Sequence, residues 1–189
     1  DAKKRLIKMG EKKRNIFVVG CPSIDALMKT KETNVRELCK KYKFDFTKKF
    51  ICMLQHPVTS ENLSSKFQIS QTLKALRLSK FLTFIIMPNN DSGYINIVKN
   101  IKNSNFKWTY NLSLEEYKTI LKRCALLIGN SSSGIHEAAI YKKPVINIGS
   151  RQNKRLKSIN IVDAKYNYKD ILDKIKFILN NSKFKKKLK

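Results

Sequence analysis

No apolar run in these 189 residues approaches the roughly 18 that a membrane-crossing helix needs, so neither a transmembrane segment nor a membrane partner is expected. The basic start, Asp1-Ala2-Lys3-Lys4-Arg5, is not followed by the apolar stretch of a secretion signal, and it lacks an initiator methionine. The sequence therefore reads as a piece of a longer protein. Cysteine is scarce: Cys21, Cys39, Cys52 and Cys124 form no C-x-x-C pair. Two of them lie in or beside expected strands, where a free thiol behaves as a small hydrophobe. A reducing, cytoplasmic setting without disulfides follows. The only histidines, His56 and His136, cannot complete a metal site with this cysteine spacing, so no metal and no cofactor is expected.

Acidic residues are few, 14 against 40 Lys+Arg, for a net charge of +26. Such an excess invites a nucleic-acid partner. Only seven of the basic residues are arginines, the side chains that read bases in bidentate fashion. The lysines are spread along the chain and dense only over 3–14 and in the tail 183–189. A compositionally biased genome produces the same Lys and Asn abundance, and an acidic partner domain would balance part of the charge. No specific nucleic-acid partner is expected, only weak polyanion binding at low salt.

What is present is a regular alternation. Apolar runs of buried-strand type occur at Ile16–Val19, Phe50–Leu54, Phe81–Met87, Phe106–Tyr110, Ala125–Ile128 and Pro144–Ile148. Between them lie helical stretches: a short one capped by Ser23, then Thr33–Tyr42, Ser60–Ser79 and one capped by Asp91 or Ser92. A further helix carries the capping-box pattern Ser113-x-x-Glu116. Another opens near Ser133, and Tyr168–Asn180 closes the series as an amphipathic helix. Alternation with short polar connections implies an α/β fold, a Rossmann-like doubly wound parallel sheet. Residues 1–14 read as the end of a preceding element, 15–182 as the domain, and 183–189 as a basic tail, solvated or disordered.

The run Gly129-Asn130-Ser131-Ser132-Ser133-Gly134-Ile135-His136-Glu137 is the most informative segment. A helix opening after such a turn offers unpaired N–H groups and partial positive charge to a phosphate. Serine hydroxyls add donors, and Glu137 suits a ribose diol better than a phosphate. Ser-rich turns and an early Glu are also ordinary capping chemistry. The next strand ends in Gly149-Ser150-Arg151, and in a parallel sheet both turns lie at carboxyl ends, where open α/β sheets bind ligands. His56, Asn89 with Asp91, Ser131, Ser132, Glu137 and Arg151 then share one sheet edge. That set points to a nucleoside diphosphate.

Four segments resemble the hydrolysing UDP-N-acetylglucosamine 2-epimerases: VVGCPSIDAL at 18–27, LQHPVTSEN at 54–62, MPNNDSG at 87–93, and GNSSSGIHEA with PVINIGSRQ within 129–152. The resemblance implies the second, UDP-binding half of a two-domain, glycosyltransferase-B-like architecture, from a protein that is a homo-oligomer at full length. By position, His56 matches the active-site histidine near the diphosphate, Asn89 a nucleotide-site residue, and Ser131 and Ser132 the diphosphate serines. Glu137 matches the ribose carboxylate, Arg151 an arginine lining the UDP site, and Leu112 the place where backbone groups meet uracil. Non-hydrolysing relatives usually show His-Arg-Arg-Glu where this chain has His56-Pro57-Val58-Thr59, which favours the hydrolysing branch. The implied reaction eliminates UDP from UDP-N-acetylglucosamine and hydrates the glycal to N-acetylmannosamine, feeding sialic-acid-type synthesis. A UDP-diacetylbacillosamine substrate and a UDP-sugar glycosyltransferase remain open as alternatives, and a basic nucleic-acid-binding module is a distant one.

Overall fold

A computed structural model describes residues 2–188. The helix α1 (Ala2–Lys8) and a 3-10 turn at Lys13–Asn15 precede α2 (Pro22–Lys29) and α3 (Val35–Tyr42). Strand β1 (Phe50–Leu54) is followed by a 3-10 segment (Thr59–Ser64), α4 (Ser65–Ser79), β2 (Leu82–Ile86), α5 (Tyr94–Lys102) and β3 (Lys107–Thr109). The second half runs α6 (Leu114–Arg123), β4 (Leu126–Gly129), a 3-10 turn (Ser132–Gly134), α7 (Glu137–Ile140) and β5 (Val145–Ile148). It ends with β6 (Ile161–Ala164), α8 (Tyr168–Asn180) and α9 (Ser182–Lys187).

The six strands form one parallel sheet in the order β3-β2-β1-β4-β5-β6. Side chains alternate across it, as strand geometry requires. Ile51 and Met53 of β1 join one core with Ile69 and Leu76 of α4, Ile97 of α5 and Ile175 of α8. Phe50, Cys52 and Leu54 join the other, with Leu27 of α2, Leu38 of α3, Ile120 of α6 and Ala138 of α7. Both faces of the sheet are therefore covered, which is why the strands read as continuous apolar runs. Each fully buried Ile, Leu or Phe contributes about 1.5–3 kcal/mol relative to exposure. Phe44, Phe46, Phe50 and Phe84 interlock in edge-to-face and tilted pairs at centroid distances of 4.8–5.6 Å, filling the second core.

Six local expectations are corrected, the first being the cap of the short helix α2, which is Cys21 and not Ser23. Ile16–Val19 is not a strand: it pairs with no other segment, and Phe17, Val18 and Val19 are each at least 75% exposed. β3 and β6 occupy the sheet edges instead, and β6, half-exposed and interrupted by Asp163, has too weak an apolar run to stand out in the sequence. The Ser60–Ser79 helix is broken, because Glu61 has non-helical dihedrals and its carboxylate is held by Gln68 Nε2 (2.8 Å) and by the Ser150 hydroxyl. The helix after β2 is capped neither by Asp91 nor by Ser92 but by Gly93, whose φ of 94° few other residues tolerate. The tail is helical through Lys187 and buries Leu188, while Lys189 lies outside the described residues.

The sixth correction bears on function. The helix near Ser133 is a 3-10 turn followed by the four residues of α7. The N–H groups of Ser133, Gly134, Ile135 and His136 bond within that turn, to Ser131 and Ser132. A helix N-terminus directed at an anion is therefore not what this turn supplies.

Candidate functional site

Strand order reverses between β1 and β4, and in open α/β sheets the crevice at the carboxyl ends of those two strands is where ligands sit. The chain immediately after β1 is Gln55-His56, and after β4 it is Asn130-Ser131. Gly129 is required at the end of β4, since a Cβ there would collide with the Leu54 carbonyl. This close approach allows Asn130, 1% exposed, to grip the His56 backbone from both sides. Its Oδ1 accepts from the His56 N–H (2.7 Å) and its Nδ2 donates to the His56 carbonyl (2.9 Å). The Asn130 carbonyl in turn accepts from Arg151 Nη1 (3.3 Å) and Gln152 Nε2 (2.8 Å). Asn130 thus ties together the turns after β1, β4 and β5.

Of the sequence-expected residues, His56, Asn89, Asp91 and Arg151 are joined around this knot. His56 Nδ1 lies 2.9 Å from Asn89 Oδ1, after β2, and 3.1 Å from the Asn89 backbone nitrogen, the roles at Nδ1 depending on the tautomer. Asn89 Nδ2 donates to Asp91 Oδ2 (2.6 Å), and Asp91 faces Arg151 Nη2 at 3.9 Å. Arg151 lines a cavity of about 580 Å³ together with Pro57, Thr59, Glu61, Asp91 and Ser150. Burial, and then the nearby Arg151 guanidinium, hold the His56 imidazole below its ordinary value, against the opposing pull of the Asn89 hydrogen bond and Asp91. Ser131 and Ser132 are half-buried on the turn after β4, and the Ser131 hydroxyl accepts from the Ser133 N–H. Glu137 stands at the start of α7 with one carboxylate oxygen, Oε2, buried and unpaired. Leu112, between β3 and α6, is half-buried against the second core.

Asn130 is the residue whose role the sequence did not assign, being visible only as one polar residue in a serine-rich turn; Asp91 was placed with Asn89 on the sheet edge, but its hold on the Asn89 carboxamide was not foreseen. A second cavity of about 490 Å³, lined by Lys43, Arg77, Lys80 and Lys107 over Phe81 and Phe106, opens at the amino ends of β2 and β3. It is remote from the His56–Asn130 contact. Among the described residues no group of three or more His, Cys, Asp or Glu is placed to hold a metal ion, and no helix is long and apolar enough to cross a membrane.

The family model for UDP-N-acetylglucosamine 2-epimerase matches residues 1–189. The chain belongs to the UDP-N-acetylglucosamine 2-epimerase family. Among curated relatives of this epimerase-family chain, a protein of Legionella pneumophila named UDP-N,N'-diacetylbacillosamine 2-epimerase (hydrolyzing) is 36% identical over 188 residues, 97% of this chain and 50% of the relative. A UDP-N-acetylglucosamine 2-epimerase of Neisseria meningitidis is 32% identical over 183 residues, 95% of this chain and 48% of the relative. The chain therefore spans about half the length of the curated relatives it matches. In fold it resembles the crystal structure of UDP-GlcNAc 2-epimerase from Neisseria meningitidis bound to UDP-GlcNAc, with a TM-score of 0.75 at 16% identity over 100% of this chain and 53% of that one.

Proposed function

We propose that this chain is the C-terminal, UDP-binding domain of a hydrolysing UDP-N-acetylglucosamine 2-epimerase with a two-domain, glycosyltransferase-B-like architecture. The observation that carries the reading is the convergence of His56, Arg151, Ser131 and Ser132 on the crevice between β1 and β4, in a member of this family. In the reaction, the sugar gives its C2 proton to a base outside this chain as the bond from C1 to the diphosphate oxygen breaks, so that a C1=C2 glycal forms and negative charge develops on the leaving UDP. Arg151 and the hydroxyls of Ser131 and Ser132 offset that charge, and His56 donates a proton or hydrogen bond to it. The unpaired Glu137 Oε2 supplies an acceptor for ribose hydroxyls. Asn89 holds His56, and the Leu112 segment meets the uracil. Water then adds to the glycal, giving N-acetylmannosamine and free UDP.

The groups that move protons on the sugar ring belong to the half of the protein outside this chain, so the 189 residues bind UDP and do not turn over. The whole protein acts as a cytoplasmic homo-oligomer supplying a sialic-acid-type route, with no specific nucleic-acid partner. UDP-diacetylbacillosamine is the second substrate reading, favoured by the 36% identity to the Legionella relative so named. Calorimetric titration of the chain with UDP, with UMP as comparison, tests the domain assignment. Incubating the full-length protein separately with the two UDP-sugars, and measuring UDP and free sugar, tests the reaction. Absence of UDP binding removes the first claim. Release of neither UDP nor N-acetylmannosamine from UDP-N-acetylglucosamine removes the second, and epimerisation by the isolated chain overturns its assignment as a non-catalytic half.

A further inference from the structure

The contacts at His56 Nδ1 pose a conflict that only a proton position resolves. The Asn89 backbone N–H points at Nδ1 from 3.1 Å, which suits an unprotonated Nδ1 and places the ring proton on Nε2. The Asn89 side-chain oxygen lies 2.9 Å from the same nitrogen, which requires a proton on Nδ1, because two acceptors do not approach so closely without one. The carboxamide would satisfy both tautomers if it were free to turn over. It is not free. Its amide end donates to the Asp91 carboxylate at 2.6 Å, and an ionised carboxylate only accepts. Turning Asn89 over would set its oxygen against Asp91 and lose a charge-assisted hydrogen bond, which is about twice as strong as the neutral bond the Asn89 N–H forgoes when Nδ1 carries the proton.

We infer that Asp91 is a positioning residue for His56: by fixing the Asn89 carboxamide it keeps a proton on Nδ1 and leaves Nε2 as the nitrogen that gains and loses one. The neutral ring then accepts at Nε2 and the protonated ring donates there, while the Nδ1–Asn89 contact stays unchanged in both states. The ring takes up and returns a proton without reorientation, which is what a group serving both UDP departure and the later hydration requires. Arg151, 3.9 Å from the same Asp91, couples this holding chain to the arginine of the anion site. The catalytic consequence rests on His56 lying against the diphosphate. The tautomer itself does not.

The test is a long-range proton–nitrogen correlation spectrum of the chain labelled with 15N-histidine, recorded above the pH at which the rings titrate. His136 is the internal reference, because Arg155 Nη1 donates to its Nε2 (3.1 Å) and so requires Nδ1–H there. A His136→Gln sample assigns the remaining ring to His56. In the unsubstituted chain both rings are expected to show the Nδ1–H pattern. Asp91→Asn gives Asn89 a partner that both donates and accepts, so the His56 pattern is expected to shift toward Nε2–H while His136 stays as it was. The double variant Asn89→Asp/Asp91→Asn places a carboxylate directly on Nδ1 and is expected to restore the first pattern. An Nε2–H pattern for His56 in the unsubstituted chain, which requires no variant to fold, overturns the inference. So does an unchanged pattern in Asp91→Asn. Adding UDP to the same samples separates the two readings: an Nδ1–H ring in a chain that fails to bind UDP refutes the proposed function and leaves the positioning role standing.

Discussion

Replacing Asn130 with alanine tests whether the crevice is held together as described. The substitution removes two hydrogen bonds to the His56 backbone, at 2.7 and 2.9 Å, from a residue that is 1% exposed. Each such bond is worth about 1 kcal/mol net, and a half-buried N–H and carbonyl left without partners add to that, for a total of about 2–4 kcal/mol. For a chain of this size a loss of that order lowers Tm by about 5–15 °C. Thermal unfolding followed by circular dichroism reads it directly. His56→Ala is the comparison, since it keeps the backbone contacts and loses only the ring, and it is expected to cost less. Asn130→Asp adds a pH signature. One carboxylate oxygen still accepts from the His56 N–H, but the other faces the His56 carbonyl. Burial favours the protonated acid, whose O–H then donates to that carbonyl. The Asn130→Asp deficit should therefore shrink as pH falls, whereas the Asn130→Ala deficit should not. An Asn130→Ala chain melting within about 2 °C of the parent, or an Asn130→Asp deficit independent of pH, would refute the reasoning.

Glu137→Ala is expected to weaken UDP binding by about 1–3 kcal/mol with little change in Tm, read by calorimetric titration; unchanged affinity would take Glu137 out of the site. Glu116 is buried, and burial alone would push its carboxyl up, but Lys41 Nζ (2.6 Å), the Ser113 N–H (3.0 Å) and the Tyr42 hydroxyl (2.9 Å) hold it down. Glu116→Ala breaks this capping box and should cost about 1–3 kcal/mol in urea unfolding, so a loss below about 0.5 kcal/mol would contradict it. Burial raises Cys52 and pushes Cys124 up to about 12, whereas hydrogen bonds from Ser23 and the Ile24 N–H lower Cys21. A thiol reagent should therefore modify Cys21 first and reach Cys52 and Cys124 only on unfolding, and early labelling of Cys124 would count against the core described. The folded state holds His56 below its ordinary 6.5, so between that lowered value and 6.5 the unfolded chain binds more protons. Stability should thus fall as pH drops through that window, and His56→Gln should flatten that part of the urea-derived profile.

The parallel sheet was legible because its central strands are buried on both faces and stand out as unbroken apolar runs between polar turns. The same criterion misled at Ile16–Val19, an equally apolar run without a pairing partner, and missed Ile161–Ala164, an edge strand carrying Asp163 outward. Strand pairing is a long-range property, and an apolar tetrapeptide shows whether its side chains favour burial but not whether an edge is open to receive it. The capping box at Ser113 was legible because its two hydrogen bonds are local, closing over three residues.

The limit is clearest within the site. Each of His56, Asn89, Ser131 and Arg151 follows a strand, so an argument from strand ends alone collects them on one edge. Their mutual arrangement depends on partners 33 and 74 residues apart, Asn89 and Asn130 on His56. Nothing in a serine-rich turn marks Asn130 as the residue that reaches sideways to the neighbouring strand rather than forward to its own turn. Gly129 permits that reach, since a Cβ there would collide with the Leu54 carbonyl, and the next side chain, Asn130, bonds the His56 backbone. The sheet order thus selects which polar turns meet, and the one residue without a side chain decides how closely. The anion chemistry expected of a helix end is not offered here, because α7 is too short and its turn uses its own N–H groups, which is why the proposed site assigns it to Arg151 and the serine hydroxyls.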